Sequence, residues 1–271
     1  MLYFLFWNVG GKPLQDCISN LVSLYELDLI LLTESHIKPD IMLNTLNRGN
    51  RFGYHYAPSI GCKKVDIFTK FPSDFLCPVL DADRLTIRHL TLPGLTSILL
   101  AVVHFPSKLH WDEPSQGFQC VELSQTIKSA EQQVGHSRTV LVGDFNMNPF
   151  EDGVVSAAGL HSIMTRSIAK RGTRIVQATK YPMFYNPMWS FFGDRQTSPP
   201  GTYFYESSVQ KVYFWNIFDQ VLLRPDLLSL FDNEDLKILV NDGKTSFLSK
   251  TGTPDERNVS DHLPILFSLR L

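Results

Sequence analysis

The chain has 271 residues, 44% of them hydrophobic and 19% charged, with a formal net charge of -2. That length suits one large α/β or all-β domain or two small ones, and the composition excludes a disordered or low-complexity chain. The near balance of charge excludes a global basic field, so a polyanionic partner must be held by a local patch.

At the start, "LYFLFW" is a short apolar run rich in aromatics, the pattern of a strand covered on both faces. It gives way to Asn8 and "GGKP", where Pro13 is placed to open a helix striped by Leu14, Cys17, Ile18, Leu21, Val22 and Leu24. "LDLILLTES" is a second buried strand, ending in Thr33, Glu34 and Ser35. Strand-like pieces follow around "YHYAPS", "VDIFTK" and "LTIRHLTL", and then "SILLAVVHFPS" carries His104 at its polar end. Residues 119–134 read as an amphipathic helix before "TVLVGDFNMNP", a strand that ends by presenting Asp144 and Asn146. The Pro- and aromatic-rich segment 181–205 is the most loop-like, and long loops on a rigid scaffold often carry function. "IFDQVLLRP" places Asp219 inside a strand, and Asp261 and His262 precede the final run "LPILFSLRL". No repeat, low-complexity tract or linker divides the chain, so a single domain over 1–271 is expected.

The cysteines Cys17, Cys62, Cys77 and Cys120 are scattered, without ligand-like spacing, and read as reduced thiols. The first apolar run has no basic leader or small-residue cleavage site, and no run reaches the roughly 18 residues of a membrane span. The expectation is a soluble, cytoplasmic protein, not bound to membranes and without a stable protein partner.

Apolar strands thus repeatedly end on residues that bind cations or move protons: Asn8, Glu34, His104, Asp144 with Asn146, and Asp261 with His262 beside the last strand. Singly each has an ordinary role, such as a turn, a cap or a satisfied core histidine. Jointly they point to strand ends converging on one pocket. Carboxylates and carboxamides are hard oxygen donors suited to Mg²⁺ or Mn²⁺, and no His/Cys spacing points to zinc. A hydrogen bond from His262 to Asp219 would orient the ring and stabilise its charged form. The remaining histidines, His36, His55, His89, His110, His136 and His161, fit no such pattern.

"FWNVGG", "LLTES", "VVHFPS", "VGDFNMNP", "IFDQVLL" and "SDHLPILF" together resemble, in order and approximate spacing, the endonuclease/exonuclease/phosphatase superfamily, whose members include deoxyribonuclease I. The resemblance implies a four-layer α/β/β/α sandwich of two packed mixed β-sheets, with the site at one end. It implies that Asn8, Glu34 and Asp261 form the metal site, with Glu34 the direct ligand, and that Asp144 and Asn146 position water and the scissile phosphate. His262, oriented by Asp219, is implied as general base or phosphate-binding histidine, and His104 as a group near the leaving oxygen. The chain departs from the family at Gly10, where abasic-site endonucleases carry an Asp, and at Ser107, where many members have a phosphate-contacting Asn. The pair Ile217–Phe218 before Asp219 also departs from it.

The basic stretch "RSIAKRGTR", with Arg166, Lys170, Arg171 and Arg174, could hold a polyanionic backbone, and Trp189 with its aromatic neighbours could stack on bases. It reads equally as a solvated helix face beside a loop packed on the core. The expected activity is Mg²⁺- or Mn²⁺-dependent phosphodiester hydrolysis, of DNA in first place, with an inositol-phosphate or phospholipid phosphoesterase as the alternative.

Overall fold

The computed structural model describes residues 1–48, 53–109, 111–194 and 199–271. His110 and residues 195–198 of the aromatic segment therefore lie outside the described residues. The first half of the chain forms β1 (Leu2–Asn8), α1 (Gln15–Tyr25), β2 (Leu29–Thr33), α2 (Pro39–Leu46), β3 (His55–Ala57) and β4 (Val65–Thr69). It continues with β5 (Leu76–Ala82), β6 (Leu85–Leu90), β7 (Ile98–His104), α3 (Glu113–Val134) and β8 (Thr139–Asp144). Short elements follow: α4 (Asp152–Val155), β9 (Ser162–Ile163), α5 (Arg166–Ala169), β10 (Thr173–Val176), β11 (Thr179–Pro182) and β12 (Phe184–Tyr185). The chain closes with β13 (Tyr203–Tyr205), β14 (Phe214–Asn216), β15 (Asp219–Leu223), β16 (Lys237–Ile238) and β17 (Ile265–Leu269).

Two mixed sheets result, in the orders β16-β17-β1-β2-β4-β3 and β5-β6-β7-β8-β15-β12-β9. Strands buried on both faces sort their side chains by the two-residue period. Leu100 and Val102 of β7, Val140 and Val142 of β8, and Val221 and Leu223 of β15 share one apolar cluster with the strands of the first sheet. The alternate residues Leu99, Ala101, Val103, Leu141 and Leu222 pack instead with Cys120, Leu123 and Ile127 of α3. Ile18, Leu21 and Val22 of α1 and Met42 of α2 cover the first sheet. The architecture is the four-layer α/β sandwich expected from the sequence.

The pairing directions explain why polar strand ends meet. β1 runs parallel to β2, and β7 parallel to β8, so each pair brings its carboxyl ends to one edge. β15 runs antiparallel to β8, with Asp219 opposite Asp144, so its amino end arrives at that same edge. β17 is antiparallel to β1, which brings the preceding residues 260–262 there too.

Several local expectations need correction. Asp219 opens β15 rather than lying inside it, with one further cross-strand bond from the Phe145 N–H to the Phe218 carbonyl at 2.8 Å. α3 begins at Glu113, earlier than residue 119, because the Asp112 side chain accepts from Ser115 N–H at 2.9 Å and caps it. The segment 181–205 is not a plain loop: it contains the end of β11, β12, a 3₁₀ turn over Pro187–Phe191, and β13.

Candidate active site

Asn8, at the end of β1, is the joint between the sheets. Its Oδ1 accepts from Gly10 N–H at 3.0 Å, which fixes the carboxamide so that Nδ2 donates to Asp144 Oδ2 at 3.0 Å and Glu34 Oε1 at 3.3 Å. Asn8, expected in the metal site, thus stands at its centre, with its nitrogen toward both carboxylates and its oxygen toward the Gly10 N–H. Glu34 and Asn146 both take left-handed backbone, with φ of 50°, a conformation that costs an L side chain energy and is held by its surroundings.

Around this joint lie the other strand ends. His104 Nε2 is 3.1 Å from Glu34 Oε1 and 3.8 Å from Asp144 Oδ2. His262 Nε2 is 3.9 Å from the same Asp144 oxygen, while its Nδ1 is 2.8 Å from Asp219 Oδ2. Asp144 Oδ1 accepts from Asn146 N–H at 2.8 Å, and Asn146 Nδ2 donates to the Phe105 carbonyl at 2.9 Å. The loop carrying His262 is tied to β1 by Ser260 Oγ donating to the Asn8 carbonyl (2.8 Å) and Trp7 Nε1 donating to the His262 carbonyl (2.9 Å).

Burial and charge set the protonation preferences. The hydrogen bond from His104, against the cost of burial, lowers the Glu34 carboxyl to about 2. Burial pushes the Asp144 carboxyl above the ordinary carboxylate range, with the charges of His262 and His104 pulling the other way. For His262 burial opposes the charged ring, but the Asp219 and Asp144 carboxylates outweigh it and raise the imidazole to about 10.

The donor set fits a hard divalent cation. Glu34, His104 and Asp144 place ligand atoms within 4.8 Å of one another, as do Asp144, Asp219 and His262. Glu34 keeps 45% of its side chain exposed, so its carboxylate is open to a ligand entering from the cleft. Asp261 lines that cleft as well. A Cβ on Gly10, whose φ is +53°, would stand 3.1 Å from Asp261 Oδ1. An Asp at that position would crowd Asp261 as well as strain the backbone, a physical reason for Gly there.

The cleft has a volume of about 470 Å³ and is lined by Glu34, Asp144, Asn146, Asp261 and His262, together with Ser107. The basic stretch expected to bind substrate is not part of this lining. Arg166 is spent on the Leu228 and Phe231 carbonyls at 2.8 and 3.1 Å, and with Lys170 it lines a separate depression beside Asp232 and Arg270. Arg171 is exposed in the turn before β10, and Arg174 is exposed on β10. Trp189 is likewise no wall of the cleft: its ring packs 5.9 Å from Phe192 and 6.4 Å from Phe150. Of the residues expected to bind substrate on this stretch, Arg166 and Trp189 are engaged with other partners, and Lys170, Arg171 and Arg174 are exposed outside the cleft lining.

The structure adds residues that the sequence reading passed over. Tyr203 packs its ring 4.8 Å from the His262 ring and 5.1 Å from Phe218, and its backbone bridges to His262. Lys108 reaches Glu151 at 2.5 Å on the rim. Tyr205, Lys211 and Tyr213 line the mouth. The alternation of Tyr203 and Tyr205 is the available signal, masked by the Pro- and aromatic-rich composition around it.

Comparison with known proteins agrees with this architecture. The catalytic domain of human Nocturnin, solved with a bound sulfate anion, superposes with a TM-score of 0.59 at 15% identity, covering 99% of this chain and 94% of that one. D. rerio TDP2 complexed with single strand DNA product gives 0.57 at 16% identity, covering 100% and 99%. An AP endonuclease from Archaeoglobus fulgidus gives 0.54 at 13%, covering 100% of both chains. At such identities these likenesses show the fold alone. No curated protein sequence matches the chain. The profile of the Endonuclease/Exonuclease/phosphatase family, whose members are phosphoester hydrolases, matches residues 5–262, and the chain belongs to that family.

Proposed function

We propose that the protein is a divalent-metal-dependent phosphodiesterase that hydrolyses nucleic acid, with DNA as the first substrate to test. The observation that carries this reading is the meeting of Glu34, His104, Asp144 and His262, from four separate segments, around one oxygen of Asp144 and one of Glu34. A nucleic acid substrate is supported by likeness to TDP2 complexed with a single strand DNA product and to an AP endonuclease.

Glu34, with Asp261 beside the cleft, would hold Mg²⁺ or Mn²⁺. When bound, such an ion polarises a phosphoryl oxygen and offsets charge building up at phosphorus. Asp144 and Asn146 position the attacking water, and the Asp144 carboxylate, which lines the cleft as Asp219 does not, is the group placed to take its proton. His262, of the two roles implied by the sequence, acts as the charged donor to a phosphoryl oxygen, because Asp219 and Asp144 hold it protonated near neutral pH. His104 is the proton donor available to the leaving oxygen. Ordered attack by water on phosphorus then breaks the bond to the leaving oxygen, which leaves with that proton. The four free thiols suit the cytoplasm as the compartment.

A panel of single- and double-stranded DNA, RNA and phosphoinositides, each with Mg²⁺, Mn²⁺ or EDTA, tests the proposal. Cleavage of nucleic acid that stops in EDTA is the expected result. A second reading, hydrolysis of a phospholipid or inositol-phosphate headgroup, draws on the exposed Leu109 at the mouth. Release of phosphate from phosphoinositides with nucleic acids untouched would replace the first reading by the second.

A further inference from the structure

The mouth of the cleft is built for flat, apolar groups more than for a row of phosphates. Its wall carries Tyr205 and Tyr213, half open to solvent at 50% and 46%, with Leu109 at 87%. Tyr213 is braced from behind: its ring stands edge-on 5.1 Å from Phe150, which in turn packs 5.7 Å from Phe192. Tyr205 is fixed by the β13–β14 hairpin, where it lies opposite Phe214. It points to the same pleat face as Tyr203, about 7 Å further from the His262 ring that Tyr203 touches. Tyr205 therefore shares a strand with the Tyr203 ring that packs on His262, and Tyr213 enters the wall just before β14.

The cations at this mouth are few and set beside rings. The Lys211 ammonium lies 5.7 Å from the centre of the Tyr213 ring, and the Lys108 ammonium 5.8 Å from that of Phe218. Each is already answered by an acid, Lys211 by Glu113 at 3.5 Å and Lys108 by Glu151 at 2.5 Å. A duplex offers its phosphates outward and keeps base faces inside the stack, so it demands a basic surface, and the basic stretch Arg166–Arg174 lies elsewhere. An unpaired strand offers base faces that stack on aromatic rings, with single cations beside them for the intervening phosphates. A lipid surface would be met by apolar side chains without paired charge, which the lysine–carboxylate pairs among these rings do not provide.

We propose that Tyr205 and Tyr213, with Lys211 between base and phosphate, form a stacking platform for unpaired nucleotides flanking the scissile phosphate. The protein would thereby select single-stranded or frayed nucleic acid. This inference rests on the phosphodiesterase reading of the adjoining centre and gives it a substrate class.

The test is fluorescence anisotropy of the full chain in EDTA, so that nothing is cleaved, with four probes. These are a labelled oligothymidylate, an abasic strand of equal length and charge, a blunt duplex of the same length, and phosphatidylcholine vesicles containing phosphoinositides read by co-sedimentation. The oligothymidylate is expected to bind about tenfold or more tightly than the abasic strand and the duplex. Tyr205→Ala and Tyr213→Ala should each weaken it by about fivefold or more, and Tyr213→Phe should restore most of the loss, with melting curves confirming that each variant is folded. Equal affinity for base-bearing and abasic strands, a preference for duplex, or binding to vesicles alone would overturn the proposal. Hydrolysis of bis-p-nitrophenyl phosphate by the wild-type protein reports separately on the centre. Its absence with base-dependent binding intact would refute the activity and leave the platform, and the reverse pattern would do the opposite.

Discussion

Asn8 shows how much one side chain decides at the site. Pinned by the Gly10 N–H, its carboxamide nitrogen joins Asp144 of one sheet to Glu34 of the other. If the proposed mechanism holds, replacing the acids gathered there should act on turnover far more than on folding. Glu34→Gln, Asp144→Asn and His262→Gln are each expected to lower kcat by about a hundredfold or more, with circular dichroism spectra unchanged. Near wild-type turnover in any one variant would remove that residue from the mechanism. The pH dependence follows from the charged His262. Its value rises from 6.5 to about 10 on folding, so its stabilisation is complete below 6.5 and is lost as pH climbs through about 10. In EDTA, the melting temperature of the wild type should therefore fall across that window more steeply than that of His262→Gln. Parallel curves for the two proteins would mean that the buried ring carries no extra proton.

At the scale of elements, the site depends on how closely β7 and β8 approach. A Cβ on Gly143 would lie 2.0 Å from the Val103 carbonyl oxygen, far inside contact distance, so only glycine lets these strands pair at the residue before Asp144. Gly143→Ala is expected to lower stability in urea by about 1–3 kcal/mol and activity with it, because Asp144 would be displaced with its strand. An unchanged midpoint would show that the strands can part without cost. The helix α3 is fastened to the same sheet by the buried Arg224 guanidinium, 2.8 Å from Glu131 Oε1 and 3.8 Å over the Phe184 ring. Arg224→Ala leaves Glu131 without its cation, with the Thr139 hydroxyl still donating to it, and should cost about 3–5 kcal/mol, measurable by the same titration, without altering the chemistry of the cleft. These elements also show where the sequence was readable. The strands β1, β2, β7 and β8 were legible as apolar runs because both of their faces are buried. The first turn of α3 was not, since "EPSQG" has no apolar stripe and its cap lies in the preceding Asp112. The short strands β9 to β14 were hidden because two to four residues are too few to display a period.

For the whole molecule, a cation held between Glu34 and its neighbours would bind the folded state and not the unfolded one. Mg²⁺ or Mn²⁺ at about 100 times its dissociation constant should raise stability by about 2.7 kcal/mol, and Glu34→Gln should abolish that gain. Equal melting temperatures with metal and with EDTA would count against the ligand set. No helix among the described residues is long and apolar enough to cross a membrane.

The sequence by itself determined which residues would be buried in strands and which polar groups would stand at their ends, because both follow from local pattern and short motifs. It could also present Glu34, His104, Asp144 and His262 as candidates through the spacing of those motifs along the chain. Only the tertiary structure decided that Asn8 turns its nitrogen to Glu34 and Asp144, that the basic stretch is no part of the cleft lining, and that tyrosines of a late hairpin are. Those outcomes depend on sheet order, strand direction and the competition of nearby acceptors for each donor, and none of these is encoded in the neighbourhood of any single residue.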